Sequence, residues 1–340
     1  MVKGLLILCF SWIVCCLSGC DSRGEREYLT ADGTMLGTTF HVVGDVQNCT
    51  SDQLYAAILE VDTLMKVSMS IFDEGSLLSR LNRNQTDSVD QHIAYNLALA
   101  EQVSILSGGC YDVTVKPLVE AWGFAGKERQ QNPNIDSLLQ FVGYDKVCVK
   151  NGRLVKRDPR VQLDFNSIAK GYTVDQVAAL MERFGATNYL VDIGGEVYCQ
   201  GVNAAGATWR IGVETPFDGN QTNGAYIQSR IQLSQGGLAT SGNYRRFFMD
   251  EAGHKVAHTI DPRTGYSAVS RLLSATVVAE NCALADAMGT MFMALGAEAA
   301  LALVKQHPEM KVYFILAGKS DQEYETYTSP SMETLMMKNE

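Results

Sequence analysis

The sequence predicts an α+β fold built on largely antiparallel sheet. Three observations point there. Strand-like segments come in runs, not in the regular alternation with helices that a doubly wound parallel sheet requires. Asn151-Gly152 separates two short β-rich runs, 147–149 and 154–156, which is a strong hairpin signal. Neither G-x-G-x-x-G nor G-x-x-x-x-G-K-[ST] occurs, so the usual dinucleotide and nucleoside-triphosphate cradles are missing.

The elements follow in chain order. Residues 38–43 are rich in β-formers and read as a strand. Leu54, Ile58, Val61 and Met65 recur at helical spacing behind a Ser51 cap, which gives a helix over 52–66. A second helix covers 91–107, with Ile93, Leu97, Ala100 and Ser104 on one side and Gly108-Gly109 as its stop. After the hairpin, Val161 and Leu163 suggest a strand ending at Asp164, and 168–184 is a helix ended by Gly185. A buried strand at 189–193 runs into Gly194-Gly195. The stretch 209–248 is mostly strand, interrupted by a polar turn at 240–243. Residues 272–279 form another strand, helices follow at 282–294 and 297–306, and 312–316 is the last strand.

The chain has 340 residues, 46% of them hydrophobic and 19% charged, which suits a globular protein with a substantial core. The formal net charge of -10 argues against nucleic acid as a partner. An anionic ligand would have to be held by local donors against the overall field.

The first twenty residues stand apart. Lys3 precedes an apolar run from Leu5 to Leu17, too short to span a membrane, and Leu17-Ser18-Gly19-Cys20 follows. That ending resembles a bacterial lipobox, which implies cleavage before Cys20 and a lipid on its sulfur. Residues 1–20 are thus a lipoprotein signal peptide, 21–33 a polar tether, 34–325 the folded domain and 326–340 a C-terminal tail. Asp21 behind the lipidated position suggests retention at the inner membrane, with the domain on the periplasmic face. Of nine cysteines, four lie within this leader. Cys49, Cys110, Cys148, Cys199 and Cys282 are scattered, odd in number and form no C-x-x-C, so neither zinc nor a disulfide framework is supported.

Four stretches carry candidate chemistry. "DFNSIAKGYTVD" (164–175) crowds Asp164, Asn166, Ser167 and Lys170 at a helix start, where free N–H groups and the positive dipole end suit a phosphate. Ala169 and Gly171 leave room for a ligand against backbone. In "ENCALADAMGTMF" (280–292), Asp286 and Thr290 lie four apart, so their oxygens share a helix face. Together they form a partial shell for Mg²⁺, and the small Ala283, Ala287 and Gly289 allow close approach. Leu284 and Met288 are the core-facing pair. "HTIDPRTGYS" (258–267) offers His258 before a tight turn at Asp261-Pro262, and only five histidines exist in the chain. "GGCYDVTVKPLVEAWGF" (108–124) places Tyr111, Asp112 and Thr114 ahead of Trp122 and Phe124, which could stack on a planar ring or lie in the core.

The set and its order resemble the ApbE family of flavin transferases. The resemblance rests on Met35-Leu36-Gly37-Thr38, "SIFDEGSLLSRLN" (70–82), 111–124, 164–175, "VDIGGE" (191–196), 239–244, 258–265 and 285–290. It implies a T-fold-like ApbE architecture and a Mg²⁺-dependent reaction. FAD is split, FMN joins a threonine or serine of a target protein, and AMP leaves. By resemblance, Met35, Phe72, Tyr111, Asp112, Asp164, Lys170 and Ile260 line the FAD site, while Ser167, Asp286 and Thr290 hold the metal. The acceptor's base is His258 or, failing that, Asp261. Expected targets are Nqr- or Rnf-type subunits. Two rivals share the pocket: an FAD diphosphatase releasing FMN and AMP, and a flavin-binding lipoprotein without catalysis.

Overall fold

Burial along residues 311–317 alternates between two cores. Val312, Phe314 and Leu316 join one of them, while Tyr313 and Ile315 join the other. A period of two is that of a strand covered on both faces. The computed structural model describes residues 27–217, 226–243, 247–249, 255–268, 270–318 and 323–337. The expected signal peptide, with Cys20, lies outside the described residues.

The first half of the chain carries β1 (Leu29–Met35), β2 (Thr38–Gly44), α1 (Ser51–Met69), α2 (Leu77–Asn82), α3 (Gln91–Leu106), α4 (Lys116–Ala121) and α5 (Ile135–Leu139). The hairpin β3 (Val147–Lys150) and β4 (Arg153–Lys156) follows, then α6 (Ala169–Arg183), β5 (Tyr189–Ile193), β6 (Glu196–Gln200) and β7 (Trp209–Glu214). Next come β8 (Ile227–Leu233), β9 (Gln235–Gly242), β10 (Phe247–Met249), β11 (Lys255–Ala257) and β12 (Leu272–Ala279). The chain closes with α7 (Cys282–Gln306), β13 (Lys311–Ala317), β14 (Tyr324–Thr328) and α8 (Pro330–Glu333).

Eight of these strands form one sheet in the order β1-β2-β5-β6-β9-β12-β13-β14, and every neighbouring pair is antiparallel. The α+β expectation holds. Helices α1, α3, α6 and α7 cover one face, burying Leu54, Ile58, Val177, Met181, Met291 and Phe292. The β7–β8 hairpin covers the other through Trp209, Ile211, Ile231 and Leu233. The expected break in the last helix is also present: Gly296, at φ 75°, divides α7 near the point where the two predicted helices meet.

Four expectations need correction. The tether expected over 21–33 ends before Leu29, because 29–33 pair with β2 as part of β1. The tail expected from 326 is structured: β14 pairs with β13, and Met332 of α8 is fully buried in the second core. Val161 and Leu163 do not form a ladder strand. Asn82 grips Leu163 from the side, with Nδ2 donating to its carbonyl (2.8 Å) and Oδ1 accepting from its N–H (2.7 Å), and the Asp164 N–H donates to the Val113 carbonyl at 2.7 Å. Thr240 and Ser241 continue β9 instead of turning, and the Thr240 and Thr276 hydroxyls meet across the ladder at 2.9 Å.

Candidate active site

The starts of α6 and α7 meet above the sheet and satisfy each other's free backbone donors. Helix α6 begins behind Ile168, a cap residue with no side-chain acceptor. Its third N–H, on Gly171, donates to Asp286 Oδ2 of α7 at 3.0 Å. In return, Asp175 of α6 accepts from Cys282 N (2.8 Å) and Ala283 N (2.9 Å) at the head of α7, and Asn281 caps Leu284 N at 2.8 Å. Orphan donors at helix ends need such partners.

This contact is too tight for the ligand space expected at Gly171 and Gly289. A Cβ on Gly171 would lie 2.3 Å from the Cys282 carbonyl oxygen and 2.8 Å from Asp286 Cβ, so α7 occupies that room. A Cβ on Gly289 would meet Ser241 Oγ of β9 at 2.8 Å. Gly171→Ala must therefore push the two helices apart. It is expected to destabilise the protein by about 1–3 kcal/mol, read as a lower urea midpoint.

Around this junction stand Tyr111, Ser167, Lys170, Asp286 and Thr290. Ser167 Oγ lies 3.0 Å from the Tyr111 hydroxyl, and Thr290 Oγ1 lies 3.4 Å from Ser241 Oγ. Asp286 is only 5% exposed. Burial, reinforced by the nearby Glu196 and only partly offset by Lys170, pushes its pKa up to about 7. Burial also pushes Asp112 and Asp164 up to about 6. Asp112 accepts from the N–H and hydroxyl of Thr114, both at 2.7 Å, and Asp164 accepts from Asn166 N at 2.8 Å in a local turn, not as the helix cap.

Lys170 does not stand free beside the helix start. Its Nζ donates to Glu196 Oε2 at 2.5 Å. Burial works against its charge, yet Glu196 and Asp286 outweigh that and hold its pKa above the ordinary value. Glu196 is the functional neighbour that the residue-by-residue reading missed. Gly194-Gly195, at φ 64° and 98°, makes a two-residue turn that sets Glu196 opposite Ile193 at the start of β6. The quoted "VDIGGE" held the signal, since a carboxylate directly after such a turn is fixed in place. Ser241 was missed as Thr290's neighbour, because its stretch reads as a turn.

The other candidates are placed as follows. Met35 is buried where β1 turns into β2 through Leu36 (φ 50°) and Gly37 (φ 75°). Phe72 is 67% exposed just past α1, with Gly126 nearby. Ile260 lies in a small cluster with Leu118, Ile135 and Val142. Trp122 and Phe124 pack partly against that cluster, and Trp122 Nε1 donates to the Gly265 carbonyl at 2.8 Å, clamping the turn after Asp261. His258 stands edge-on to Phe124 with ring centroids 6.3 Å apart. Asp261 commits both oxygens to Arg263, at 3.0 Å from Nε and 2.8 Å from Nη2. All five cysteines among the described residues are free.

The model of the ApbE family matches residues 36–314. The chain belongs to the ApbE family. It is 34% identical over 335 residues to the FAD:protein FMN transferase of Haemophilus influenzae, covering 94% of each chain. It is 30% identical over 341 residues to that of Escherichia coli, again covering 94% of each. Among solved structures, the flavin transferase ApbE from Vibrio cholerae superposes with a TM-score of 0.79 at 30% identity, over 91% of this chain and 99% of that one. The apo flavinyl transferase ApbE of Pseudomonas stutzeri gives 0.79 at 28% identity, over 91% and 96%. The ApbE fold expected from the resemblance is the observed one.

Proposed function

We propose that this ApbE-family chain transfers FMN from FAD to a hydroxyl of a target protein, a threonine or serine, and releases AMP. The observation that carries the reading is the helix-start junction, where one under-compensated buried carboxylate, Asp286, shares a site with Ser167, Thr290 and Lys170. It lies within residues 36–314, which match the family model, and similar members of the family are named FAD:protein FMN transferases.

The donor set fits a small hard cation. Asp286 supplies one carboxylate whose charge is disfavoured by burial, and Ser167 and Thr290 supply neutral oxygens. No cluster of three or more His, Cys, Asp or Glu suited to a metal gathers among the described residues, and Mg²⁺ binds through one or two carboxylates with water and phosphate completing its shell. Bound there, Mg²⁺ would neutralise charge on the diphosphate oxygens. The chain's own groups do the rest. Lys170, oriented by Glu196 beside the start of α6, faces the anionic diphosphate. Asp112 and Asp164 are buried acceptors for donors of the flavin nucleotide. The acceptor oxygen attacks the FMN phosphorus, the bond to the bridging oxygen breaks, and AMP leaves with that oxygen. The hydroxyl proton goes to His258, and Asp261, whose oxygens accept from Arg263, is the alternative base.

The raised pKa of Asp286 has a consequence for the cation-free protein. The folded state holds a proton that the unfolded chain releases above about pH 4. The stability this group contributes is present below that pH and is lost as pH rises towards 7. Asp286→Asn is therefore expected to flatten the fall in melting temperature between about pH 4 and 7, and Mg²⁺ to stabilise the wild type more at pH 8 than at pH 5. Parallel wild-type and variant profiles would count against this environment for Asp286.

The membrane reading, anchorage through Cys20 at the periplasmic face of the inner membrane, rests on the lipobox, and Nqr- or Rnf-type subunits as targets rest on the family resemblance. Two experiments test the two parts. Labelling the expressed protein with a fatty-acid analogue should fail in Cys20→Ala. Replacing the acceptor hydroxyl of the target by alanine should abolish flavin attachment.

A further inference from the structure

"DFNSIAKGYTVD" ends in a residue to which the proposed chemistry gives no part, Asp175. The side chain lies on α6, one turn beyond Gly171, and both of its oxygens are used on the first two N–H groups of α7. One turn further along α7 stands Asp286, whose carboxylate returns to Gly171 of α6. The two bonds form a closed loop: Asp175 fixes where α7 begins, that start fixes Asp286, and Asp286 completes the first turn of α6. The backing is rigid. Gly237 of β9 lies so close that a Cβ there would meet Cys282 N at 2.2 Å, and Cys282 is fully buried.

We propose that Asp175 is a positioning residue that sets the register of α7 against α6 and so aims the Asp286 carboxylate at the cation and diphosphate. Its effect on metal binding rests on the function proposed above, while its effect on the helix junction does not. Without Asp175, Asn281 still caps α7 at Leu284 N, so the helix keeps one of its start contacts. What would be lost is the tie that holds Asp286 against Gly171 in the first turn of α6.

The test uses the full chain, with Asp175→Ala and Asp175→Asn beside a control cap variant elsewhere. Thr50→Ala serves as that control, because Thr50 is exposed and caps α1 at Gln53 N (3.2 Å), near Gln47, whose N–H donates to the Phe184 carbonyl at the far end of α6. Two quantities are measured below the melting temperature of each variant: hydrogen exchange at the Gly171 amide, and the Mg²⁺ concentration giving half of the thermal stabilisation without FAD. Asp175→Ala is expected to speed Gly171 exchange at least about tenfold and to raise the Mg²⁺ midpoint by a similar factor. Asp175→Asn, which keeps one acceptor, should shift both by a smaller factor, and Thr50→Ala should shift neither. Should Asp175→Ala not fold, Asp175→Asn decides, with a threefold change in exchange as the supporting result. Gly171 exchange within twofold of wild type would overturn the proposal. A wild type indifferent to Mg²⁺ would instead refute the metal reading, and the exchange result would still judge Asp175.

Discussion

Asp286→Ala is expected to lower FAD turnover by at least about a thousandfold, equivalent to roughly 4 kcal/mol of lost transition-state stabilisation. The reasoning starts from burial. A carboxylate 5% exposed, with Glu196 and Asp175 nearby and one Lys170 to offset them, is an unfavourable arrangement unless a cation completes it. Removing the carboxylate removes that repulsion together with the proposed ligand. The same substitution leaves Gly171 N–H without its acceptor, a loss of about 1 kcal/mol. These effects oppose each other, so the melting temperature of the cation-free protein should move by only a few degrees while turnover collapses. Turnover within tenfold of wild type would remove Asp286 from the reaction.

Lys170→Ala is the second large effect, and it should touch stability and activity alike. Glu196 is 5% exposed and would lose its cation, while Lys170 is 37% exposed and partly screened by solvent. Breaking a fully buried pair costs about 3–5 kcal/mol, so about 2–3 kcal/mol is expected here. Turnover should fall about a hundredfold, because the proposed site loses a side-chain cation. The double variant Lys170→Met with Glu196→Leu separates the two roles. It should regain most of the stability, since Glu196 is no longer left as an unpaired buried charge, and none of the turnover. Urea midpoints and FAD turnover on the three proteins give the answer. Recovery of turnover in the double variant would make the ion pair a purely structural feature.

Much of the fold was legible because local periodicity carries it. Leu54, Ile58, Val61 and Met65 mark α1, and Asn151-Gly152 marks the β3–β4 hairpin, with Asn151 at φ 52° and Gly152 at φ 72° as a two-residue turn of that kind requires. The capping of α1 was displaced by one residue, from Ser51 to Thr50, which forms a reciprocal cap with Gln53. What could not be read was long-range. Gly171 looks like open space in sequence, yet its neighbour lies 115 residues away at Asp286. Lys170 looks like a free phosphate binder, yet a carboxylate 26 residues on already holds it. Val161 and Leu163 look like a strand because their alternation is right, but Asn82 takes the hydrogen bonds that a partner strand would have taken. Motif order marked stretches that meet at the α6–α7 junction, and packing decided what each residue in them touches.

The transfer itself is tested most directly on the acceptor. The full chain in detergent is mixed with FAD, Mg²⁺ and an acceptor domain of an Nqr- or Rnf-type subunit, and the intact mass of the acceptor is recorded beside released AMP. The account predicts an acceptor heavier by one FMN, one AMP for each FMN attached, and neither product with Asp286→Ala. Free FMN and AMP with an unmodified acceptor would replace transfer by hydrolysis, and FAD intact in the presence of wild-type protein, Mg²⁺ and acceptor would contradict the account.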